Sequence, residues 1–415
     1  MHIGVQPEEE RWRYAGWRVV LISLICLTLV FGTRLSFSVF FVALSRDFGW
    51  SRADTSSIFA LTMVVFTLVS PVSGRLIDSF GPNRVLSSGA LFLVVGLLAS
   101  SRIHTLAQLL VAYGIVVGIG LTLTGLSSHA TVIAHWFYRR RGIAIGIAFA
   151  GTGLGSLLVV PASERLIALT GWRTAYQVLA TALLLVALPL YWRWMHYPAS
   201  RGAEPRPRLA HHAAGWRARQ ALRTLSFWWI ALGAFLTMLP TRTLTVHAVA
   251  HIVDRGYSSL AGAGALGLAG AATTVGFIVW GNFSDRVGRP TSYLLGSLCL
   301  AGSAIVLLLL PPGMPSLLYL FALLFGLGEG SRSSLVVALV SDLFPGPDLG
   351  LLNGFVGSLF GLGAALGTWG AGYLFDTTGS YRLSLILVAA SAVASALALI
   401  IARRVYHGRR PHPVA

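Results

Sequence analysis

Residues 281–289 read Gly-Asn-Phe-Ser-Asp-Arg-Val-Gly-Arg, and residues 74–81 read Gly-Arg-Leu-Ile-Asp-Ser-Phe-Gly. Both stretches place an aspartate four residues after a first glycine and a second glycine three residues after the aspartate, and they lie 207 residues apart. Further pairs, such as Arg34 with Arg242, repeat at an offset of 208 residues. Ordered matches at nearly one offset indicate that the chain consists of two related halves.

Around these stretches the sequence is strongly apolar: 55% of its 415 residues are hydrophobic and only 11% are charged. Soluble domains carry about 25% charged residues, and a helix needs roughly 20 apolar residues to cross a bilayer. Such stretches recur twelve times, the fifth and sixth at Gly142–Ala168 and Thr174–Trp192. We therefore predict an all-α membrane protein with twelve transmembrane helices in two pseudo-symmetric six-helix bundles.

The longest hydrophilic stretch divides the apolar segments into six and six. We predict an N-terminal six-helix bundle at 1–192, a cytoplasmic linker at 193–225 and a C-terminal six-helix bundle at 226–415. We expect a functional monomer.

All 31 basic residues are arginines, and the formal net charge is +17. The amino-terminal segment, the even-numbered loops and the tail hold 21 arginines, whereas the odd-numbered loops hold 7. Since cytoplasmic loops carry the basic excess, both termini are predicted to be cytoplasmic in a multi-pass plasma (inner) membrane protein. The charge orients the chain, and we expect no nucleic-acid partner.

The stretch at 281–289 resembles the cytoplasmic loop signature of the major facilitator superfamily, and 74–84 resembles a second copy in which Ser79 replaces a basic residue. The segments at 16–18, 36–52 and 141–173 resemble the monocarboxylate transporter and oxalate/formate exchanger branch. That resemblance implies secondary active transport of small organic anions by alternating access, without a cofactor. The branch commonly has an anion-binding arginine in its eighth helix, where this sequence has Phe277.

Three arginines, Arg34, Arg242 and Arg332, fall inside apolar segments. A charge near the bilayer centre costs about 2.5 to 3.5 kcal/mol even on mild scales, so such residues usually serve a function. Guanidinium groups bind carboxylates through paired hydrogen bonds, and the three are therefore predicted to bind the substrate. The alternative is that they pair with backbone carbonyls or an acid and only join the halves.

Proton coupling is predicted at Glu329 and His247, because burial changes the proton affinity of a carboxyl and histidine titrates near neutral pH. Cotransport of a proton would also remove the cost of moving an anion against a negative interior. Glu329 lies three residues before Arg332 on one helical face, so a local ion pair without a transport role is the alternative. His129 and His135 are predicted to be structural.

The repeated loops are predicted to form a cytoplasmic gate, because in the resembling family such charge networks hold the inner side shut. The alternative is simple topology and helix capping, which would not explain the repeated spacing. The gate residues are Gly74, Asp78, Gly81, Arg84, Gly281, Asp285, Arg286, Gly288 and Arg289.

The leading interpretation is a proton-coupled symporter of monocarboxylate-like anions, with the substrate and the lipid bilayer as its partners. An efflux carrier for drug-like or other uncharged solutes and a non-transporting membrane sensor remain as alternatives. An enzyme is disfavoured because we find no nucleophile motif, and Cys26 and Cys299 have no metal-ligand spacing. We therefore predict no catalytic residue, no metal and no cofactor apart from the coupling proton.

Overall fold

The computed structural model describes residues 14–137, 140–198, 216–346 and 348–407, and of residues 281, 282, 285, 333 and 334 it describes the backbone alone. All regular structure in these ranges is helical. Eleven helical stretches are long and apolar enough to cross a membrane, and the fifth of them has 54 residues. The prediction of an all-helical membrane fold is confirmed.

That fifth stretch makes two crossings. At 1.5 Å per residue it would extend about 80 Å, far more than a bilayer core of about 30 Å. Gly171 interrupts it with φ 83° and ψ 161°, a conformation that glycine adopts without steric cost. Gly379, 208 residues later, also has a positive φ of 68°, with ψ 11°, and follows the last residue of the helix Leu349–Thr378. The predicted fifth and sixth spans therefore meet at Gly171.

We number the twelve membrane helices in chain order. They are α1 Ala15–Phe48, α2 Arg52–Phe80, α3 Pro82–Ser100, α4 Leu106–Trp136, α5 141–170, α6 172–194, α7 Leu225–Asp254, α8 Ser259–Val287, α9 Arg289–Leu308, α10 Ser316–Leu343, α11 Leu349–Thr378 and α12 Arg382–His407. The predicted linker at 193–225 falls largely on 199–215, which lies outside the described residues.

Three of these helices are interrupted within the membrane. α1 bends at Ser36, α4 is broken at Thr124 and Gly125, and α10 is broken at Ser331. Irregular backbone at membrane depth is tolerated where protein or a water-filled cavity surrounds it. The breaks in α1 and α10 lie beside residues that the sequence assigned to the substrate site.

Glycines at spacing four hold helices together inside each half. A Cβ atom on Gly155 would lie 2.4 Å from the Thr28 carbonyl oxygen of α1, and one on Gly363 would lie 2.1 Å from the Phe235 carbonyl oxygen of α7. A spacing of four along the sequence is by itself consistent both with sliding surfaces between the halves and with static packing. The structure shows close packing of α5 on α1 and of α11 on α7, because only glycine permits that backbone approach.

A candidate substrate site between the two halves

An ion pair joins α7 to α10. Nη2 of Arg242 donates to Oε1 of Glu329 at 2.9 Å, and each side chain is 16% exposed. The other carboxylate oxygen, Oε2 of Glu329, is buried without a hydrogen-bond partner. Pro240 lies within α7 two residues before Arg242. Oε2 of Glu329 can therefore accept a proton or a hydrogen bond.

Arg34 approaches the same place from α1 in the other half. Its Nη2 donates to Sδ of Met63 at 3.3 Å, while its Nε is buried without a partner. Within the described parts of the chain no carboxylate forms an ion pair with Arg34, yet the guanidinium lies within electrostatic range of Arg242 and Glu329. The structure thus brings Arg34, Arg242 and Glu329 together, and their role in binding stays a prediction.

Aromatic rings surround the Arg34 guanidinium. Its Cζ atom lies 5.6 Å from the ring centroid of Phe31 and 6.0 Å from those of Phe59 and Phe66. Phe59, Met63 and Phe66 share one face of α2 because they are four and three residues apart. Cation–π attraction offsets part of the cost of holding this charge away from water. The sequence reasoning missed this aromatic wall, although the spacing on α2 was readable.

Arg332 is placed differently from what the sequence suggested. Its side chain is fully buried among α9, α10 and α12, where Nη1 donates to the Tyr293 hydroxyl at 2.8 Å and to Ser395 Oγ at 3.0 Å. Nε and Nη2 have no partner. Because α10 is broken at Ser331, Glu329 and Arg332 point to different partners despite being three residues apart. The local ion pair between Glu329 and Arg332, considered as an alternative, does not form; Glu329 pairs with Arg242 instead.

His247 lies farther along α7 than Arg242, nearer the carboxyl end of that helix. It is buried, and its Nε2 donates to the Thr368 carbonyl at 2.8 Å, so Nε2 carries the proton. Its Nδ1 lies 3.1 Å from the hydroxyl of Tyr381, and burial raises the pKa of that phenol well above its ordinary value. Tyr381 therefore stays protonated and donates to Nδ1. The ring also meets Phe41 of the other half edge to face, with centroids 5.0 Å apart.

Beyond His247 the two halves are joined by charged contacts. Nη2 of Arg52 donates to the Asp254 carboxylate at 3.0 Å. Asp376, near the end of α11, accepts from the backbone N–H groups of Arg52 and Ala53 at 2.8 and 2.7 Å. The first turn of α2 is thus capped by a residue of the other half. We call this set of contacts the outer closure, because the opposite end, which holds both termini, is predicted from the sequence to be cytoplasmic. No spacing along the sequence indicates these pairings.

At the end that holds both termini, the halves stand apart. Among the described residues, the parts of α4 and α10 nearest this end, Leu126–Trp136 and Arg332–Leu343, pack chiefly on helices of their own half. An even number of crossings places Ala15 and His407 at this same end. The space between the halves therefore opens toward the termini and is shut by the outer closure.

The predicted gate residues lie around this open end. Gly81 and Gly288 have φ 82° and 90°, which only glycine adopts readily, and begin α3 and α9. Arg289 lies 3.6 Å from the Asp342 carboxylate and donates to Ser284 Oγ at 2.6 Å. The side chains of Asp78, Arg84 and Arg286 are exposed, and Gly74 is exposed as well. Gly281 and Asp285 lie in α8, where the structure describes only their backbone.

The fold and the arrangement between its halves define a multi-pass membrane transport protein. The sequence profile described as Major Facilitator Superfamily matches residues 20–313 and 270–414. The chain belongs to that superfamily, as its two loop stretches predicted.

Its curated relatives include Monocarboxylate transporter 13 of Bos taurus, which is 30% identical over 404 residues, covering 96% of this chain and 91% of the relative. Monocarboxylate transporter 11 of Homo sapiens is 28% identical, with 92% and 81% coverage, and Monocarboxylate transporter 4 of Rattus norvegicus is 25% identical, with 99% and 87% coverage. The predicted resemblance to monocarboxylate transporters is confirmed, and these relatives are transporters rather than enzymes.

Two solved structures share the fold. A bacterial homolog to the human lysosomal transporter Spinster, in an inward-facing and unoccupied conformation, superimposes with a TM-score of 0.71 at 17% identity, covering 99% of this chain and all of that one. A D-xylose-proton symporter superimposes with a TM-score of 0.72 at 17% identity, with 92% and 96% coverage. At such identities the likeness concerns the fold alone.

Proposed function

We propose that this protein is a proton-coupled secondary transporter of small monocarboxylate-like anions that works by alternating access. The observation that carries the proposal is the half-buried Arg34, which pairs with no carboxylate of the described residues and faces the Arg242–Glu329 pair across the two halves. The names of the relatives, all monocarboxylate transporters, support the same substrate class.

The substrate carboxylate binds to Arg34, because its guanidinium presents unused donors in a place with little water. The remainder of the acid lies against the half-buried rings of Phe31 and Phe66. Those rings offer no hydrogen-bond partner to hydroxyl groups, so acids with an apolar substituent fit better than hydroxy acids.

Glu329 couples the proton to the anion. With Glu329 ionised, the guanidiniums of Arg34 and Arg242 and the carboxylate of Glu329 give the site a net charge of +1. Protonation of Glu329 would release Arg242 as a second hydrogen-bond donor to the anion. One proton and one monoanion then enter together without changing the charge of the site. Their joint crossing avoids the cost of about 2.3 kcal/mol per charge per 100 mV. His247, hydrogen-bonded beneath the outer closure, relays the proton when that closure opens.

Alternating access would move the N-terminal bundle at 1–192 against the C-terminal bundle at 226–415, joined by the linker at 193–225. With both termini in the cytoplasm, the structure would be open inward and shut outside by Arg52, Asp254 and Asp376. In the opposite state the predicted gate loops close the inner side. Arg332 acts as a positioning residue that fixes α10 from within the bundle, since full burial keeps it from the anion.

The test is uptake of labelled pyruvate and phenylacetate into proteoliposomes, with the outside one pH unit more acidic. Arg34→Gln and Arg242→Gln should each lower uptake by about tenfold or more, because each removes a charge-assisted hydrogen bond. Arg102→Gln, an exposed arginine outside the site, is the matched control. Uptake at the wild-type rate by Arg34→Gln would reject the anion site and favour an efflux carrier of uncharged solutes. Ligand binding without counterflow of label would instead indicate a sensor.

A further inference from the structure

A groove of about 550 Å³ lies on the lipid-facing surface, where α9 begins and α12 ends, at the end that holds both termini. It plays no part in the proposed transport site. Its lining residues are Pro290, Thr291, Leu294, Ile400, Arg403 and Arg404.

The rim of the groove carries two positive charges that have no partner in the described part of the chain. Arg403 and Arg404 are exposed, and no ion pair or hydrogen bond of their side chains is formed with any residue of the described ranges. The Arg403 guanidinium lies against Gly288 at the start of α9. The acid that lines the adjoining groove, Asp342, already pairs with Arg289. Two neighbouring arginines near the end of α12 create a local positive potential at the membrane interface.

Below the arginines the groove is apolar and continues toward the membrane centre. Leu294 of α9 and Ile400 of α12 form its floor. Leu298 lies one turn beyond Leu294 and is 50% exposed, and Leu397 lies one turn before Ile400 and is 51% exposed. A molecule with an anionic head and an acyl chain matches this combination of charge above and apolar surface below.

We propose that this groove binds one anionic phospholipid, with the phosphate between Arg403 and Arg404, the Thr291 hydroxyl as a further donor, and one acyl chain along Leu294 and Leu298. Guanidinium groups form paired hydrogen bonds with phosphate oxygens. Basic pockets between transmembrane helices at an interface are suited to such headgroups.

The other half of the molecule provides an internal comparison. At the 208-residue offset Pro82 corresponds to Pro290, whereas Met195 and His196 stand where the C-terminal half has Arg403 and Arg404. Met195 is buried, and the His196 carbonyl accepts a hydrogen bond from Trp136. The adjacent arginine pair therefore occurs in the C-terminal half, whereas near the corresponding positions of the N-terminal half the exposed arginines are Arg84 and Arg193.

The experiment uses the delipidated full-length protein and counts retained lipid by native mass spectrometry during titration with phosphatidylglycerol. We expect Arg403→Gln/Arg404→Gln to bind this lipid about 25-fold more weakly, since each interfacial arginine contributes about a factor of five. Arg75→Gln/Arg219→Gln, which removes two exposed arginines elsewhere at the same end, should bind like wild type. Arg403→Lys/Arg404→Lys, which keeps both charges, should retain most of the wild-type affinity.

Two further ligands decide the source of the anion. Phosphatidylcholine should be retained no better by wild type than by the double variant, and soluble glycerol phosphate should not compete. Equal retention of phosphatidylglycerol by wild type and the double glutamine variant would overturn the proposal, and so would full competition by glycerol phosphate. Because the readout is bound lipid, its outcome is independent of whether the protein transports anions.

Discussion

Replacing Glu329 by glutamine separates proton coupling from anion binding. The change keeps the size of the side chain but removes the charge that holds Arg242 at 2.9 Å. Arg242 then becomes a second donor for the substrate carboxylate. A hydrogen bond to a charged group contributes about 1.5 to 3 kcal/mol, so the half-saturating substrate concentration should fall by about tenfold or more.

The same variant should lose accumulation driven by protons. If one proton accompanies each anion, a gradient of one pH unit corresponds to about 1.4 kcal/mol, which sustains about a tenfold accumulation in wild type. Glu329→Gln should equilibrate labelled substrate without accumulating it, while counterflow continues. The assay is uptake into proteoliposomes at zero membrane potential, with and without the pH gradient.

Glu164 provides the matched control, since it is the other glutamate in the described ranges and also lies half-buried within a membrane helix. Glu164→Gln should accumulate substrate like wild type. Accumulation by Glu329→Gln that equals wild type at the same gradient would show that the proton is carried elsewhere. Loss of both accumulation and counterflow would show that Glu329 is needed for binding itself.

Three further outcomes follow from the contacts of individual residues. Asp376→Ala removes two charge-assisted hydrogen bonds of 2.8 and 2.7 Å to the first turn of α2, so the population of the state that is open on the outer side should rise at least tenfold. The rise would be seen as faster labelling of a cysteine placed below the outer closure. An unchanged labelling rate would refute this role of Asp376. His247→Gln should slow proton-driven uptake severalfold yet leave counterflow intact, and a loss of both would assign His247 to the fold instead. Arg332→Met should change the half-saturating substrate concentration by less than about twofold but lower the thermal stability, because the hydrogen bonds of Arg332 to Tyr293 and Ser395 lie inside the bundle. A tenfold change in the half-saturating concentration would show that Arg332 belongs to the substrate site.

Much of the fold followed from the sequence because a bilayer imposes local rules. Each crossing needs roughly 20 apolar residues whose backbone groups bond within the segment, so length and hydropathy give the helices. The Gly-Asp-Gly spacing at 74–81 and 281–288 identified two halves and the superfamily. The 208-residue offset also placed Arg34 and Arg242 at equivalent positions of the two halves.

Partners within the site depended on the tertiary structure. Sequence spacing places Glu329 and Arg332 on one helical face only while the helix is continuous, and α10 is broken at Ser331 between them. Glu329 therefore bonds to Arg242 of α7, and Arg332 turns into the bundle.

The outer closure likewise combines contacts that are local in sequence with contacts that only the packing of the two halves creates. In the first turn of α2, the hydroxyl of Ser51 accepts a hydrogen bond from the N–H of Asp54, as serine commonly does at the start of a helix. The sequence does not show that Asp376, more than 300 residues away, binds the first N–H groups of the same helix. Local chemistry decided where helices form and end, whereas the choice of partner across the halves depended on how the bundles pack, which no spacing along one helix encodes.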